Sequence, residues 1–280
     1  MSTRAVMAHI KEALRRLRAG YSQVTAPLRG LPSALIIGAQ KGGTTSLFNY
    51  LLQHPGILPP LRKEVHYFDL NYGRGVRWYR AHFPYTHQLR GGTLTLDASP
   101  YYQVHPLVPQ RAAELLPGAK LVALLRNPVD RALSHYQHEV RGGRETLSFA
   151  EAIEKEPERL AGEEKRLRED PSYYSYNHHR YSYVQRGLYV DQLRRWVEHF
   201  PRSQLLVLQA ESLFRAPAEV TGEVYRFLDL PRHKLKLRKP FVQVGYDRQM
   251  PADLRSKLVN YFEPHNRELF QWLGQEYDWR

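Results

Sequence analysis

The glycine-rich stretch after the first apolar run carries the clearest chemical signal in the chain. From Gly38 to Ser46 it reads Gly-Ala-Gln-Lys-Gly-Gly-Thr-Thr-Ser. Glycines let backbone N–H groups close around an anion, and a helix that begins near Thr44 directs the positive end of its dipole to the same point. This pattern predicts a phosphate cradle. It differs from a Walker loop, because its lysine lies inside the loop at Lys41 and Thr44 takes the place of the Walker lysine.

A carboxylate and an imidazole occur together shortly after this loop, at Glu64 and His66. If the segment 62–68 is extended, its side chains alternate, so Glu64, His66 and Phe68 lie on one face. A carboxylate beside an imidazole is suited to remove the proton of a hydroxyl group. The pair is therefore a candidate general base, and a surface ion pair or a capped turn is the alternative interpretation.

A third candidate site follows the apolar run at 120–125. Arg126 ends this run, Pro128 is suited to begin a helix, and Ser134 falls about two turns into that helix. An arginine at the carboxyl end of a strand lies where such folds bind ligands, and its fork matches a phosphate. A Walker B site would have a carboxylate there to hold magnesium, so Arg126 favours an anion held without a metal. The alternative is a local salt bridge between Arg126 and Asp130.

Strand-like apolar runs alternate with helical patterns through most of the chain. This alternation predicts an α/β fold of three layers (α/β/α) around a central parallel sheet, in a single domain. The predicted strands are Ala34 to Ile37, Thr93 to Leu96, Lys120 to Leu125 and Gln204 to Leu208. The predicted helices are Thr44 to Gln53, Pro106 to Leu115, Pro128 to Arg141, Tyr189 to His199, and Ala218 to Leu228.

Two segments depart from this alternation. Residues 144–186 combine a charged helical run with a stretch rich in tyrosine and histidine, which we interpret as an insertion that carries the substrate surface. Residues 1–32 form a basic N-terminal extension, in which Val6, Ile10, Leu14 and Leu17 recur at helical spacing. We expect a helix there, packed on the domain or in weak contact with a membrane surface. Residues 33–280 form the predicted domain.

The composition narrows the classes of ligand. The chain has 280 residues and a formal net charge of +13, which indicates an anionic ligand or partner. It has no cysteine, so disulfides and thiolate metal sites are excluded. No apolar run of signal-peptide or membrane-span length follows the basic start, which predicts a cytoplasmic protein without a transmembrane segment.

These motifs together resemble the family of sulfotransferases that use 3′-phosphoadenosine 5′-phosphosulfate (PAPS), and most closely its heparan sulfate and carbohydrate O-sulfotransferase branch. The loop from Gly38 resembles the 5′-phosphosulfate loop of that family, and the segment from Arg126 to Tyr136 resembles its 3′-phosphate motif. The segment from Lys63 to Phe68 resembles the one that carries the catalytic glutamate. Similar patterns at 97–102, 186–189 and 261–266 extend the resemblance over nearly the whole chain.

The resemblance implies an in-line transfer of a sulfuryl group from PAPS to an acceptor hydroxyl, with PAP as product, no metal, and a sulfate ester as the second product. It implies Glu64 as general base, assisted by His66, with Lys41 as the third catalytic residue. The residues expected to bind the donor are Lys41, Gly42, Gly43, Thr44, Thr45, Ser46, Arg126, Ser134, Arg238 and Lys239. Those expected near the acceptor are Arg62, Lys63, Tyr67, Asp97, Tyr101, Arg186 and Tyr189.

The sequence departs from the family in two places that bear on the substrate. Ala98 stands before Ser99 where heparan sulfate sulfotransferases generally have a lysine, so one expected active-site cation is missing. The C-terminal nucleotide loop of those enzymes is normally fixed by a disulfide, which a chain without cysteine lacks. A basic stretch at 232–243 occupies that region, and it is the source of the Arg238 and Lys239 candidates.

Several alternatives remain open from the sequence. The acceptor hydroxyl is expected on an acidic or neutral glycan, but a small molecule, a lipid, a tyrosine hydroxyl or an amine would fit the same chemistry. A P-loop kinase would share the strand, loop and helix, yet it would need magnesium and the Walker lysine. A non-enzymatic polyanion-binding protein would explain the net charge alone. The chain has no recognisable nucleic-acid-binding motif, so no nucleic-acid partner is expected.

Overall fold

A four-stranded parallel sheet forms the centre of the protein in the computed structural model, which describes residues 7, 20–236 and 250–279. The strands are β1 (Ala34–Gly38), β2 (Leu96–Ala98), β3 (Lys120–Leu125) and β4 (Leu205–Gln209). Their order across the sheet is β2-β1-β3-β4, with every pair parallel. Because β1 and β3 are the inner strands, the segments that follow them, from Gly38 and from Arg126, lie at neighbouring points of one sheet edge.

Both faces of the sheet are buried, which establishes three layers. Alternate residues of β1 and β3 point to opposite sides, so Leu35 and Leu121 enter one apolar core whereas Ile36 and Val122 enter the other. This burial on two faces explains why the strands read as continuous apolar runs in the sequence. The predicted three-layer α/β fold with a parallel sheet is confirmed.

Helices fill the two outer layers. In chain order they are α1 (Thr44–Leu51), α2 (Tyr67–Leu70), α3 (Gly75–Arg80), α4 (Val108–Leu115), α5 (Pro128–Arg141), α6 (Phe149–Leu160), α7 (Glu163–Glu169), α8 (Tyr176–Arg180), α9 (Tyr189–Val197), α10 (Ala210–Arg215), α11 (Pro217–Phe227) and α12 (Ala252–Leu273). Helices α1, α10 and α11 pack on one face of the sheet, and α4, α9 and α12 pack on the other. All five predicted helices are present. That from Pro128 to Arg141 has the predicted bounds, and the others differ by one or two residues at one or both ends.

The largest error in the predicted strands concerns β2, which begins three residues later than the sequence indicates. The apolar signal at 93–96 is real, but Leu94 pairs with the segment before it instead of the sheet: its N–H donates to Gly56 O at 2.9 Å and its carbonyl accepts from Leu58 N at 2.8 Å. The chain joins β1 only when Leu96 comes opposite Ala34. Periodicity cannot distinguish these two partners, because both stabilise an extended backbone.

The structure describes all of the insertion but only part of the N-terminal region. Residues 144–186 contain α6, α7 and α8, so the predicted charged helical run is present and the stretch rich in tyrosine and histidine continues it. The predicted amphipathic helix, with Val6 and Leu17 on its apolar face, lies outside the described residues. Nearer the domain, Arg29 is buried and its guanidinium donates to Phe83 O at 2.7 Å. Across the described ranges, no helix is long and apolar enough to cross a membrane.

Candidate active site

The loop between β1 and α1 is shaped by close backbone contacts. The N–H of Ala39 donates to Leu124 O at 2.9 Å, and the N–H of Gly42 donates to Ala39 O at 2.9 Å. A Cβ atom on Gly42 would lie 2.4 Å from Leu124 O, so only glycine fits there. The sequence predicted that the Gly42 N–H would bind the ligand, but this N–H already donates to a carbonyl within the loop.

The N-terminus of α1 is open to an anion. Gly43 is the N-cap residue with a positive φ of 92°, and no side chain caps the first turn. The N–H groups of that turn lack intrahelical partners, and the helix dipole adds positive potential at the same place. Thr44 and Ser46 are buried and Thr45 is half-buried, so their backbones line the base of the cradle. The loop therefore has the donors that a phosphate or phosphosulfate group needs.

Lys41 stands in this loop with a positive φ of 68°. Burial lowers the pKa of its ammonium group, and the charges of Arg141 and Arg126 lower it further. The carboxylate of Glu64 acts in the opposite direction, which places Glu64 within electrostatic reach of Lys41. Cationic groups are thus concentrated around Lys41, and the carboxylates of Glu139 and Glu64 lie within electrostatic reach of it.

Arg126 lies against the same loop, where its Nη1 donates to Lys41 O at 3.3 Å. Its backbone carbonyl accepts a hydrogen bond from the Tyr189 hydroxyl at 2.7 Å, which fixes the end of β3. The next residue, Asn127, caps α5 through its carboxamide oxygen, which accepts from the N–H of Val129 at 3.0 Å. Ser134 is buried two turns further along α5. The tertiary fold therefore brings the Arg126 segment to the cradle.

The alternative interpretation paired Arg126 with Asp130. In the structure, Asp130 accepts a hydrogen bond from Arg255 of α12 at 2.8 Å. This contact gives Asp130 a role in holding α12 on α5.

The segment that carries Glu64 is not extended, so the predicted alternation of faces is wrong. Glu64 and His66 both have left-handed backbone conformations, with φ of 58° and 54°, and α2 begins directly after them. This double turn leaves the side chains of Glu64 and His66 half-buried, whereas Phe68 is buried in the core. Positive φ costs free energy for residues other than glycine, and such strain is typical of functional sites.

The two side chains belong to a chain of charged groups. His66 Nε2 lies 3.7 Å from Glu64 Oε2, and His66 Nδ1 lies 2.8 Å from Asp69 Oδ2. Lys63 Nζ contacts the other oxygen of Glu64 at 2.5 Å. Asp69 was not among the predicted site residues, although it lies three residues after His66, a spacing that puts two side chains on one helix face.

These contacts reverse the usual effects of burial on the two groups. Burial by itself would raise the pKa of Glu64, but its contact with His66 and the charge of Lys63 outweigh it and lower the pKa to about 2. Burial would lower the pKa of His66, but Asp69 and Glu64 raise it to about 10. At neutral pH, Glu64 is therefore ionised and His66 is protonated.

A buried hydroxyl network holds this strained turn in place. The N–H of His66 donates to Ser99 Oγ at 3.0 Å, and the Ser99 hydroxyl donates to Asp97 Oδ1 at 2.9 Å. The N–H of Tyr67 donates to the Tyr102 hydroxyl at 2.9 Å, which in turn donates to Asp97 at 2.8 Å. Asp97, the middle residue of β2, thereby positions the backbone of the His66 turn through Ser99 and Tyr102.

Most residues expected near the acceptor are buried in other roles. Arg62 is exposed and donates to Glu64 O at 2.9 Å. The remaining members of this group, apart from Lys63, have side chains in the core, and their burial disfavours direct contact with an acceptor; they are Tyr67, Asp97, Tyr101, Arg186 and Tyr189. Arg238 and Lys239 lie outside the described residues.

Arg186 links the insertion to the cradle. Its guanidinium donates to Gln40 of the loop, to the carbonyls of His178 and His179 at 2.9 and 2.8 Å, and stacks over the ring of Tyr101. The carbonyls belong to the end of α8, so one buried cation satisfies the last turn of that helix. The insertion is therefore fixed rigidly beside the phosphate loop.

Comparisons with known proteins agree with this geometry. A family model described as "Sulfotransferase domain" matches residues 31–244. The chain is 31% identical over 282 residues to heparan sulfate glucosamine 3-O-sulfotransferase 6 of Homo sapiens, covering 90% of this chain and 74% of the relative. It is 27% identical over 340 residues to membrane-associated sulfotransferase kil1 of Dictyostelium discoideum, covering 96% and 72%. A solved sulfotransferase from Alicyclobacillus acidocaldarius is 32% identical with a TM-score of 0.67, covering 89% of this chain and 98% of that one.

Proposed function

The chain belongs to the PAPS-dependent sulfotransferase family, and we propose that it transfers the sulfuryl group of PAPS to a hydroxyl group of a carbohydrate. The observation that carries this proposal is the glycine loop with Lys41 and, against it, Arg126, which has the carboxylate of Glu64 within electrostatic reach. A cationic site opposite an ionised base is the arrangement that a group transfer from an anionic donor to a hydroxyl requires.

The residues of the cradle fit the donor. The uncapped first turn of α1 leaves backbone N–H groups for the 5′-phosphosulfate, with Lys41 in the loop that precedes it. Arg126 and Ser134 would hold the 3′-phosphate, because a guanidinium fork and a hydroxyl donate to phosphate oxygens. No cluster of three or more histidine, aspartate or glutamate side chains suited to a metal ion occurs among the residues placed in the structure.

The reaction balances with these groups alone. The acceptor oxygen forms a new bond to sulfur while the bond between sulfur and the 5′-phosphate oxygen breaks, and the acceptor proton passes to Glu64. The departing phosphate oxygen gains negative charge, which Lys41 and the N–H groups of α1 neutralise. Protonated His66, with Nε2 3.7 Å from Glu64 Oε2, stabilises the ionised carboxylate by its charge and so keeps Glu64 able to take the proton.

The relatives support a carbohydrate acceptor, because the curated match in Homo sapiens is named as a sulfotransferase of heparan sulfate glucosamine. The positive net charge of the chain suits an acidic glycan. The cytoplasmic location expected from the sequence stays a prediction.

Replacing Glu64 with glutamine tests the mechanism. Glu64→Gln keeps the size of the side chain but removes its basicity, so turnover should fall about a hundredfold or more while PAP affinity stays unchanged. Turnover is measured with radiolabelled PAPS and a panel of glycans, and PAP affinity by calorimetry without metal. A variant that turns over at the wild-type rate would remove Glu64 from the role of base. Stabilisation by Mg-ATP but not by PAP would point to a kinase.

A further inference from the structure

The insertion places a second histidine beside the catalytic pair. The rings of His66 and His179 lie 6.2 Å apart between centroids, and the ring of His179 packs on Tyr101 at 4.4 Å. His179 is the last but one residue of α8, whose end is held by Arg186. The ring of His179 is therefore held in a fixed position near His66.

The ring of His179 is neutral at physiological pH. Burial lowers its pKa to about 2, and the charges of Arg186, Arg180 and His66 act in the same direction. A neutral imidazole offers one donor and one acceptor, so its role depends on which nitrogen carries the proton.

The hydrogen bond between Tyr174 and His179 bears on which nitrogen carries the proton. The Tyr174 hydroxyl lies 2.9 Å from His179 Nδ1 and makes no other hydrogen bond within the described ranges. A tyrosine hydroxyl that donates to Nδ1 leaves the proton on Nε2, and on this basis we assign that tautomer. Nε2 has no hydrogen-bond partner among the described residues and is not among the fully buried polar atoms. Among the described residues, this N–H donor is therefore partly accessible and has no partner.

The ring of Tyr174 is open as well. Its side chain is 46% exposed, and its only aromatic contact in the part of the chain that the structure describes is His179, at 5.7 Å. The Tyr174 hydroxyl is held by a hydrogen bond and its ring is partly exposed. Such a side chain offers a rigid, partly apolar contact surface at low entropic cost. Sugar rings have such apolar C–H faces, with hydroxyl groups around their edge.

We propose that Tyr174 and His179 form an acceptor subsite for a pyranose unit at or beside the one that is sulfated. The Nε2–H of His179 donates to a hydroxyl or ring oxygen of that unit, while the ring of Tyr174 stacks on its C–H face. This proposal rests on the carbohydrate acceptor of the proposed function and adds the residues that recognise it. Neither residue is a base, since the proton of the reacting hydroxyl goes to Glu64.

Steady-state kinetics of variants with a heparan sulfate hexasaccharide test the subsite. Tyr174→Ala and His179→Gln should each raise the acceptor KM about tenfold, which is the size expected for losing one stacking or hydrogen-bonding contact. Tyr174→Phe keeps the ring and should raise the acceptor KM less than Tyr174→Ala. The PAP affinity of all three variants, measured by calorimetry, should stay within about twofold of the wild type because the cradle is unchanged.

Tyr176→Ala is the matched control. Tyr176 is 43% exposed on the same segment, but its ring packs on Tyr181 at 5.6 Å instead of facing His179. Its removal should leave the acceptor KM unchanged. A second measurement, the affinity of the hexasaccharide for the PAP-bound protein, should follow the same order as KM.

The outcomes separate this proposal from the one on which it rests. An active wild type whose acceptor KM is the same in Tyr174→Ala and His179→Gln would overturn the subsite and leave the proposed function intact. An equal loss in Tyr176→Ala would also overturn it, because the effect would then come from the segment as a whole. A wild type that binds PAP but neither binds nor sulfates the hexasaccharide would refute the carbohydrate acceptor itself.

Discussion

Removing the charge of Asp69 should shift the titration of His66 by a measurable amount. The Asp69 side chain is fully buried, and its Oδ2 lies 2.8 Å from His66 Nδ1. Asparagine at this position keeps an oxygen that can accept from Nδ1–H, so Asp69→Asn removes the charge with little change of shape. The variant also loses one acceptor, because the other oxygen of Asp69 accepts from Leu70 N at 2.7 Å. That second loss does not depend on pH, so the pH dependence reports the electrostatic part of the contact.

The size of the effect follows from the wild-type value. Raising the pKa of His66 from 6.5 to about 10 corresponds to about 5 kcal/mol in favour of the charged ring. Asp69 and Glu64 both contribute to this free energy. The contact of His66 with Asp69 is shorter and more buried than its contact with Glu64, whose side chain is 45% exposed. If Asp69 accounts for at least half of this free energy, the pKa of His66 should fall to about 8 or lower in Asp69→Asn.

The stability of the variant should depend on pH in a definite direction. A histidine whose pKa is raised by folding stabilises the native state fully below 6.5, and this contribution is lost as pH rises through about 10. Asp69→Asn should therefore unfold about 2 to 3 kcal/mol more easily than wild type near pH 6, and the gap should close towards pH 10.

Nuclear magnetic resonance titration of the histidine rings measures the first effect, with His66 assigned by the signal that disappears in His66→Gln. Urea unfolding at pH 6 and pH 10 measures the second. Asp191→Asn is the control, because Asp191 is exposed and pairs with Arg194 instead of His66. A His66 signal that still titrates near 10 in Asp69→Asn, or a stability gap that does not change with pH, would refute the reasoning.

Three further variants test the cradle and its support. Arg126→Ala should weaken PAP binding by about tenfold or more, since a charged hydrogen bond to phosphate is lost; calorimetry checks this, and an unaltered affinity would contradict the 3′-phosphate assignment. Gly42→Ala should abolish PAP binding and lower stability by about 1 to 3 kcal/mol, because its Cβ meets Leu124 O, whereas Gly222→Ala in α11, where a Cβ has open space, should not. Asp97→Asn should cost about 1 to 3 kcal/mol in urea unfolding, since it disturbs three buried hydroxyl donors; equal stability would remove Asp97 as the support of the His66 turn.

The elements that the sequence predicted well are those whose partners are local. The helix from Pro128 to Arg141 is confirmed at both ends, because Pro128 sets its first turn and Gly142 follows its last. β1 and β3 are buried on both faces, so a continuous apolar run was sufficient to predict them. The start of β2 was predicted three residues too early, because Leu94 pairs with the segment 56–58 and no local pattern reveals that partner.

The candidate residues divide in the same way. Lys41 and the glycines were recognisable because the chemistry of the cradle lies in one contiguous segment. Glu64 and His66 were named correctly as a pair, but the assumption of an extended strand gave the wrong geometry, since their positive φ is held by Ser99 and Tyr102 from a distant segment. His179 belongs to the insertion that was predicted to carry the substrate surface, but no sequence pattern placed its ring near His66, because 113 positions separate the two residues.

The sequence by itself indicated an anion site, because a glycine loop, a lysine and an arginine at the end of a strand specify such a site through backbone and charge alone. Only the tertiary structure decided the acceptor side. There the conformation of the Glu64 turn, the charge on His66 and the approach of Tyr174 and His179 depend on burial and on contacts between segments far apart in the chain. Burial and distant charges set pKa values and orient rings, and neither can be read from residues that are neighbours only in sequence.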